Sequence, residues 1–269
     1  MRVRSLMLAA AGAALIAPTA LPGAAPPPEA GPDAGHERAG YGGPSAGNVP
    51  RARNDAGTGV TRDARRRTPS RTPAPGNVRA KELLAAVRDC APVSHDRFSS
   101  DYGEPADIEV CGRREAVFWK ADLDIDCDGR PGRHCNERTD PLFCDTTAFQ
   151  QSDGRQLSAE RLPYVVVPGP SHRWNHREHG VRRGTVAAVI HGDRVRYAVV
   201  GDVGPDDIIG EASYALARNL GIRPDPRGGG AASGVTYILF KDSGASPIES
   251  PGAAVAQGER LARELVGRS

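Results

Sequence analysis

Gly201-Asp202-Val203-Gly204-Pro205-Asp206-Asp207-Ile208-Ile209-Gly210-Glu211-Ala212-Ser213-Tyr214-Ala215 is the stretch on which the reading of the fold turns. It follows Val195–Val200, an apolar β-branched run that reads as a buried strand ending at Val200. Gly201, Gly204 and Pro205 then read as a tight turn that holds Asp202 at the mouth of a sheet. Beyond it, Glu211–Leu220 reads as a helix. Ala212, Ala215, Leu216 and Leu220 recur on one face, and Gly221 is a natural stop. On this reading Glu211 opens the helix.

Outward from this stretch, β patterns dominate. Ala116–Asp128 alternates strongly, Pro163–Val167 is a short β-branched run, and Gly234–Phe240 is another strand. Thr185–Ile190 and Val195–Val200 flank His191-Gly192-Asp193-Arg194, which reads as a hairpin turn. Two more helices are expected. Lys81–Arg88 carries Leu83, Leu84 and Val87 on one face, and Ala253–Val266 carries Val255, Leu261 and Leu265. The sum is a single folded domain over 80–269, mainly β (α+β) with a few helices.

The first 79 residues read differently. Arg2 and Arg4 precede an apolar run, Leu6–Ala17, and small residues with prolines follow to Ala25. That run is too short to span a bilayer and long enough for the core of a secretion signal, so 1–25 reads as a signal peptide. Residues 26–79 hold 9 Pro and 9 Gly and no Leu, Ile, Phe or Trp. Such a segment cannot bury enough apolar surface to offset the entropy of ordering it, so it reads as a disordered linker. Five cysteines fit an exported, oxidising setting: Cys90, Cys111, Cys127, Cys135 and Cys144. Two disulfides and one leftover thiol is the simplest count, with the pairing open. No C-x2-C pair suggests zinc. The net charge is only +2, and it is unevenly spread. Residues 80–269 carry 24 basic and 28 acidic side chains, which argues against nucleic acid as partner and permits a cationic ligand. No membrane association is expected after signal cleavage, and a monomer is expected.

Two segments carry candidate chemistry. In a strand over Trp119–Gly129, alternate residues share a face. Val117, Trp119, Ala121, Leu123, Ile125 and Cys127 then face the core, while Lys120, Asp122, Asp124, Asp126 and Asp128 line the other side. A row of carboxylates repels itself unless something positive visits it. A polycation, a metal ion, or merely solvent are the three readings. Asp124-x-Asp126-x-Asp128-Gly129 resembles the start of a calcium loop, but Cys135 stands where the bidentate Glu belongs. No metal and no cofactor is assigned. The second segment is the opening one. Two carboxylates at the ends of rigid elements, Asp202 and Glu211, can face each other across a cleft, as glycoside hydrolysis requires. The plainer alternative has Asp202 capping a turn and Glu211 complementing a helix dipole. Aromatics are scarce. Trp174, in a polar stretch, and Tyr214 are candidates to stack on sugar rings, with Trp174 expected to be the exposed one. His172, His176 and His179 lie in an expected loop without the helical frame a metal site favours.

These segments together resemble the glycoside hydrolase family 75 chitosanases of filamentous fungi and actinobacteria. The resemblance covers about 115–241 and rests on Ala116–Gly129, Pro163–Gly169, Gly201–Pro205 with Ile209–Tyr214, and Gly234–Phe240, in that order. It implies endo-hydrolysis of chitosan, a polymer of β-1,4-linked glucosamine, with inversion. It also implies Asp202 and Glu211 as the catalytic pair. We assign Glu211 as general acid, for its longer reach, and Asp202 as general base. Asp122, Asp124, Asp126, Lys120, Trp174 and Tyr214 are then the substrate-binding candidates. A second resemblance concerns fold: Gly201-Asp-x-Gly-Pro205 followed by Ile208–Ala217 is similar to the signature of double-psi β-barrels. A six-stranded barrel follows from it. Two other functions suit such a barrel: a non-catalytic wall-binding module and a peptidoglycan-cleaving enzyme. The first needs more surface aromatics, and the second has an anionic substrate.

Overall fold

The computed structural model describes residues 77–268. The expected signal peptide and nearly all of the expected linker lie outside the described residues.

The strands are β1 (Cys111–Gly112), β2 (Ala116–Asp126), β3 (Tyr164–Pro168), β4 (Val186–His191), β5 (Arg194–Gly204), β6 (Glu211–Ser213) and β7 (Ala231–Phe240). The helices are α1 (Ala80–Ala86), α2 (Tyr214–Leu220) and α3 (Pro251–Gly267). The sheet runs β1-β2-β6-β3-β5-β4-β7, and β7 pairs back onto β2. Six strands thus close a barrel, with β1 appended to its outside. Closure leaves no unpaired barrel edge. The pairs β2–β6 and β3–β5 are parallel, while β4–β5, β4–β7 and β2–β7 are antiparallel.

Period-two alternation divides the apolar residues between two cores. Val117, Trp119, Ala121 and Leu123 point into the barrel, with Val165, Val167, Val189, Val200 and Tyr237. Ala116 and Phe118 point outward and pack with Tyr164, Val166, Ile190 and Phe240 beneath α1 and α3. The β4–β5 hairpin turns on Gly192-Asp193, as the sequence predicts.

α3 packs through a stripe that keeps the expected Leu265, with Leu261 at its margin, but leaves out Val255. Ala254, Gly258, Ala262 and Leu265 are buried, whereas Val255 is 41% exposed. A Cβ on Gly258 would collide with the Tyr197 ring, so small residues let the helix lie close to β5. The disulfides are Cys90–Cys111 and Cys127–Cys135, and Cys144 is the free thiol. The second bridge closes the loop that leaves β2 at the acidic stripe.

Candidate active site

Glu211 does not open a helix. It begins the three-residue strand β6, and the helix starts at Tyr214. Ser213 is the reason. Its hydroxyl accepts from Leu216 N as helix cap, accepts from Tyr164 N and donates to Leu162 O. One buried side chain thus caps α2 and fastens β6 to β3.

Asp202 is not in a turn. β5 continues to Gly204, and its parallel register with β3 slips at one point: Val165 faces Val200, but Val166 faces Asp202. Gly201 is the extra residue of that bulge. A Cβ there would stand 2.6 Å from Tyr164 Cβ, so only glycine fits. The bulge turns Asp202 to the outer face.

The registers align four positions across that face. Asp124 on β2 pairs with Glu211 on β6, and Val165 on β3 pairs with Ala212. The row therefore reads Asp124, Glu211, Val166, Asp202. Glu211 and Asp202 stand two strand spacings apart, about 10 Å between backbones. The Glu211 side chain leans across β3, for a Cβ on Gly204 would meet its Oε2 at 2.9 Å.

Asp202 is buried, and its Oδ1 accepts from Ala148 N at 2.7 Å and Val203 N at 2.8 Å. Burial pushes its pKa up to about 6, against those two donors. Glu211 is pushed up to about 8, first by burial and then by Asp124, Asp128, Asp202 and Asp101. Burial and the neighbouring carboxylates thus raise Glu211 further than Asp202, the direction in which an acid and a base are separated.

The stripe splits into two groups. Asp126 and Asp128 join Asp202, with one oxygen from each within 4.8 Å of the others. Asp126 Oδ1 accepts from Asp128 N, and Asp128 Oδ1 accepts from Cys144 N. Burial raises Asp128 to about 7 and Asp126 well above its ordinary value, with neighbouring carboxylates adding to both shifts. Asp122 and Asp124 instead join Asp101, again within 4.8 Å. Sequence reasoning missed Asp101. It sits on a loop carried to the site by Ser99, whose N donates to Asp207 O and whose O accepts from Ile209 N. No periodicity marks such a residue.

Three other candidates fare differently. Trp174 is buried, 1% exposed, edge-on to Trp119 and stacked on His179, so it is no sugar platform. The polar residues beside it in sequence say nothing about the barrel end that covers it. Tyr214 is half-buried, stacks on His134 at 5.3 Å and lines an open groove of about 460 Å³ with Arg138 and Arg227. Lys120 is exposed and lines a separate groove with Asp107 and Glu109. Among the histidines, His176 is buried with Nδ1 against Val181 O, and His172 faces Asp96. No metal-ligating group includes them among the described residues.

The model of the family described as fungal chitosanase of glycosyl hydrolase group 75 matches residues 123–264. The chain belongs to that family. The match spans β3 to β7 with Asp202 and Glu211, and it starts inside β2, after Asp101 and Asp122. Relatives include an endo-chitosanase B of Aspergillus oryzae, 26% identical over 60% of this chain and 74% of its own length. An endo-chitosanase of the same species is 30% identical over 48% of this chain and 58% of its own. One of Aspergillus fumigatus is 33% identical over 35% of this chain and 42% of its own. The chain thus spans about half the length of these last two. The barrel places Asp202 and Glu211 on one outer face with five further carboxyls, Asp101, Asp122, Asp124, Asp126 and Asp128. The turn-cap and helix-dipole readings of the two residues fall with that placement.

Proposed function

We propose that this chain is a secreted endo-chitosanase that cleaves β-1,4 bonds between glucosamine units by inversion. The observation that carries this reading is the register row that sets Glu211 and Asp202 two strand spacings apart on one carboxyl-lined face, where burial pushes Glu211 up to about 8 and Asp202 up to about 6. Glu211 gives its proton to the glycosidic oxygen as the C1–O bond breaks. Asp202 takes a proton from water as that water's oxygen bonds to C1 from the opposite face. Inversion needs carboxyls about 6.5–9.5 Å apart, which two strand spacings with inward-leaning side chains accommodate. The surrounding carboxylates favour the positive charge that develops on the sugar ring. They also attract a polymer bearing ammonium groups, which chitin and cellulose lack. The leader at 1–25 and the two disulfides suit an exported enzyme, and no helix of the described residues is long and apolar enough to cross a membrane.

Reducing-end release from chitosan, chitin, cellulose and peptidoglycan, run side by side, tests the substrate. Only chitosan should yield product. Asp202→Asn and Glu211→Gln should each lower kcat by about 10³-fold or more while the melting temperature stays within a few degrees. Retained activity in either variant, or β-anomer as the first product by NMR, sinks the assignment.

A further inference from the structure

We propose that Asp101, Asp122 and Asp124 form a seat for a single glucosamine ammonium at the scissile linkage, and that this seat demands a deacetylated sugar there. The inference rests on the chitosanase reading and deepens it.

Three observations carry it. Each of the three residues offers an oxygen, and these oxygens lie within 4.8 Å of one another. An ammonium on a sugar carbon has three N–H donors. Acceptors about 2.9 Å from such a nitrogen, placed tetrahedrally, stand some 4.7 Å apart.

Asp122 is the second observation. It is only 6% exposed, yet its Oδ1 has no hydrogen-bond partner among the described residues. A buried carboxyl with an unsatisfied oxygen is costly. Tyr237 Oη donates to the backbone carbonyl of Asp122 and leaves Oδ1 unserved. Asp122 lies against Gly210, whose φ of +128° and missing Cβ make room for it: a Cβ there would collide with Oδ1. A bound ammonium supplies the donor that Oδ1 lacks.

Position is the third observation. Asp124 is the register partner of Glu211 on adjacent parallel strands, and Asp124 N donates to Gly210 O at 2.8 Å. Adjacent strands stand about 4.8 Å apart, less than or near the length of one sugar. A sugar seated at Asp124 is therefore one of the two joined by the bond that Glu211 protonates. An N-acetyl group there presents no cation and a single N–H. The seat is distinct from the second carboxyl group, in which Asp126 and Asp128 surround Asp202.

Binding of a glucosamine hexamer to the Asp202→Asn protein, measured by calorimetry, should weaken about tenfold on adding Asp101→Asn, the worth of one charge-assisted hydrogen bond. In the active enzyme, Asp101→Asn should raise KM on chitosan about tenfold and change kcat far less. Products of the wild-type enzyme on partly acetylated chitosan should carry glucosamine, never N-acetylglucosamine, on one fixed side of the cleaved bond, and Asp101→Asn should relax that rule. This last measurement needs no variant for its first half, so a poorly folding Asp101→Asn leaves it intact. Unchanged KM and affinity in a folded variant, or N-acetylglucosamine found freely on both new ends, overturns the seat while chitosan activity stands. Calcium that binds the protein in an Asp101-dependent way and is not displaced by the hexamer also overturns it. Wild-type protein inert toward chitosan overturns the chitosanase reading itself.

Discussion

Glu211 can act as the proposed acid only while it holds its proton, and six other carboxyls crowd the face where it must hold it. With Glu211 at about 8 and Asp202 at about 6, kcat/KM on a glucosamine oligomer should be bell-shaped. The rising limb follows ionisation of Asp202, and the falling limb follows loss of the Glu211 proton. Both limbs belong to the coupled set rather than to single groups. A profile flat between pH 5 and about 9 contradicts the pairing. The same crowding bears on stability. Asp122 sits at about 8 in the fold, first through burial and then through Asp124 and Asp101, against an ordinary value of 3.8. The folded state then binds more protons than the unfolded chain between those values. Its stabilising contribution is therefore full below about pH 4 and is lost as pH rises through about 8. Asp122→Asn should leave the melting temperature at pH 4 unchanged and raise it by about 5 °C at pH 8. Thermal scans at both values check this. At this scale the sequence showed the two central carboxyls and the stripe, because a strand's alternation is local. It concealed Asp101 and misplaced Trp174, because both depend on a loop folding over the barrel. Spacing along the chain carries no record of such a contact.

Elements show why the settings of Asp202 and Glu211 were misread. Gly201 and Gly204 look like turn residues in the sequence, but in β5 one of them is the bulge that rotates Asp202 outward. Glu211–Ser213 is too short to show a strand period, and it runs without a gap into α2, so a helical pattern absorbed it. The barrel itself was legible: β2, β3, the β4–β5 hairpin and β7 all match their alternating or β-branched runs, and the motif around Gly201–Ala217 supplied the closure. α3 was placed correctly with Leu265 on its buried face, but Val255 is not part of that face, whose other members are Ala and Gly. The bulge carries the sharpest element-level prediction. Gly201→Ala forces a methyl into Tyr164, which cannot retreat: its ring is buried and its hydroxyl donates to Asp128 O at 3.1 Å. Overpacking of this kind costs about 1–3 kcal/mol, a fall of roughly 3–10 °C in a domain of this size. An accompanying shift of Asp202 of about 1 Å should lower kcat by about 10²-fold, well beyond the effect on KM. A variant with unaltered melting and unaltered kcat would show that the bulge does not set the position of the base.

For the molecule as a whole, charge is divided between two unlike parts. Residues 26–79 hold 9 basic and 5 acidic side chains, whereas 80–269 hold 24 and 28. A cationic polymer is attracted by the second part and repelled by the first. The attraction is a sum of exposed contacts, each worth about 0–1 kcal/mol and screened within about 8–10 Å at ordinary salt. The buried carboxyls around Glu211 are screened less, so two salt regimes should separate. Raising salt from 20 to 200 mM should increase KM for long chitosan by about three- to tenfold. On a hexamer that occupies only the central site, KM should change less than twofold. A chain beginning at Asn77 keeps the whole barrel and loses the basic segment. Its KM on long chitosan at 20 mM salt should be lower than that of the full chain, and its salt dependence steeper, with the melting temperature unchanged. Equal salt slopes for polymer and hexamer would locate all the attraction in the central carboxyls. Weaker polymer binding by the shortened chain would instead make the Arg-rich segment a partner in substrate capture, against its charge.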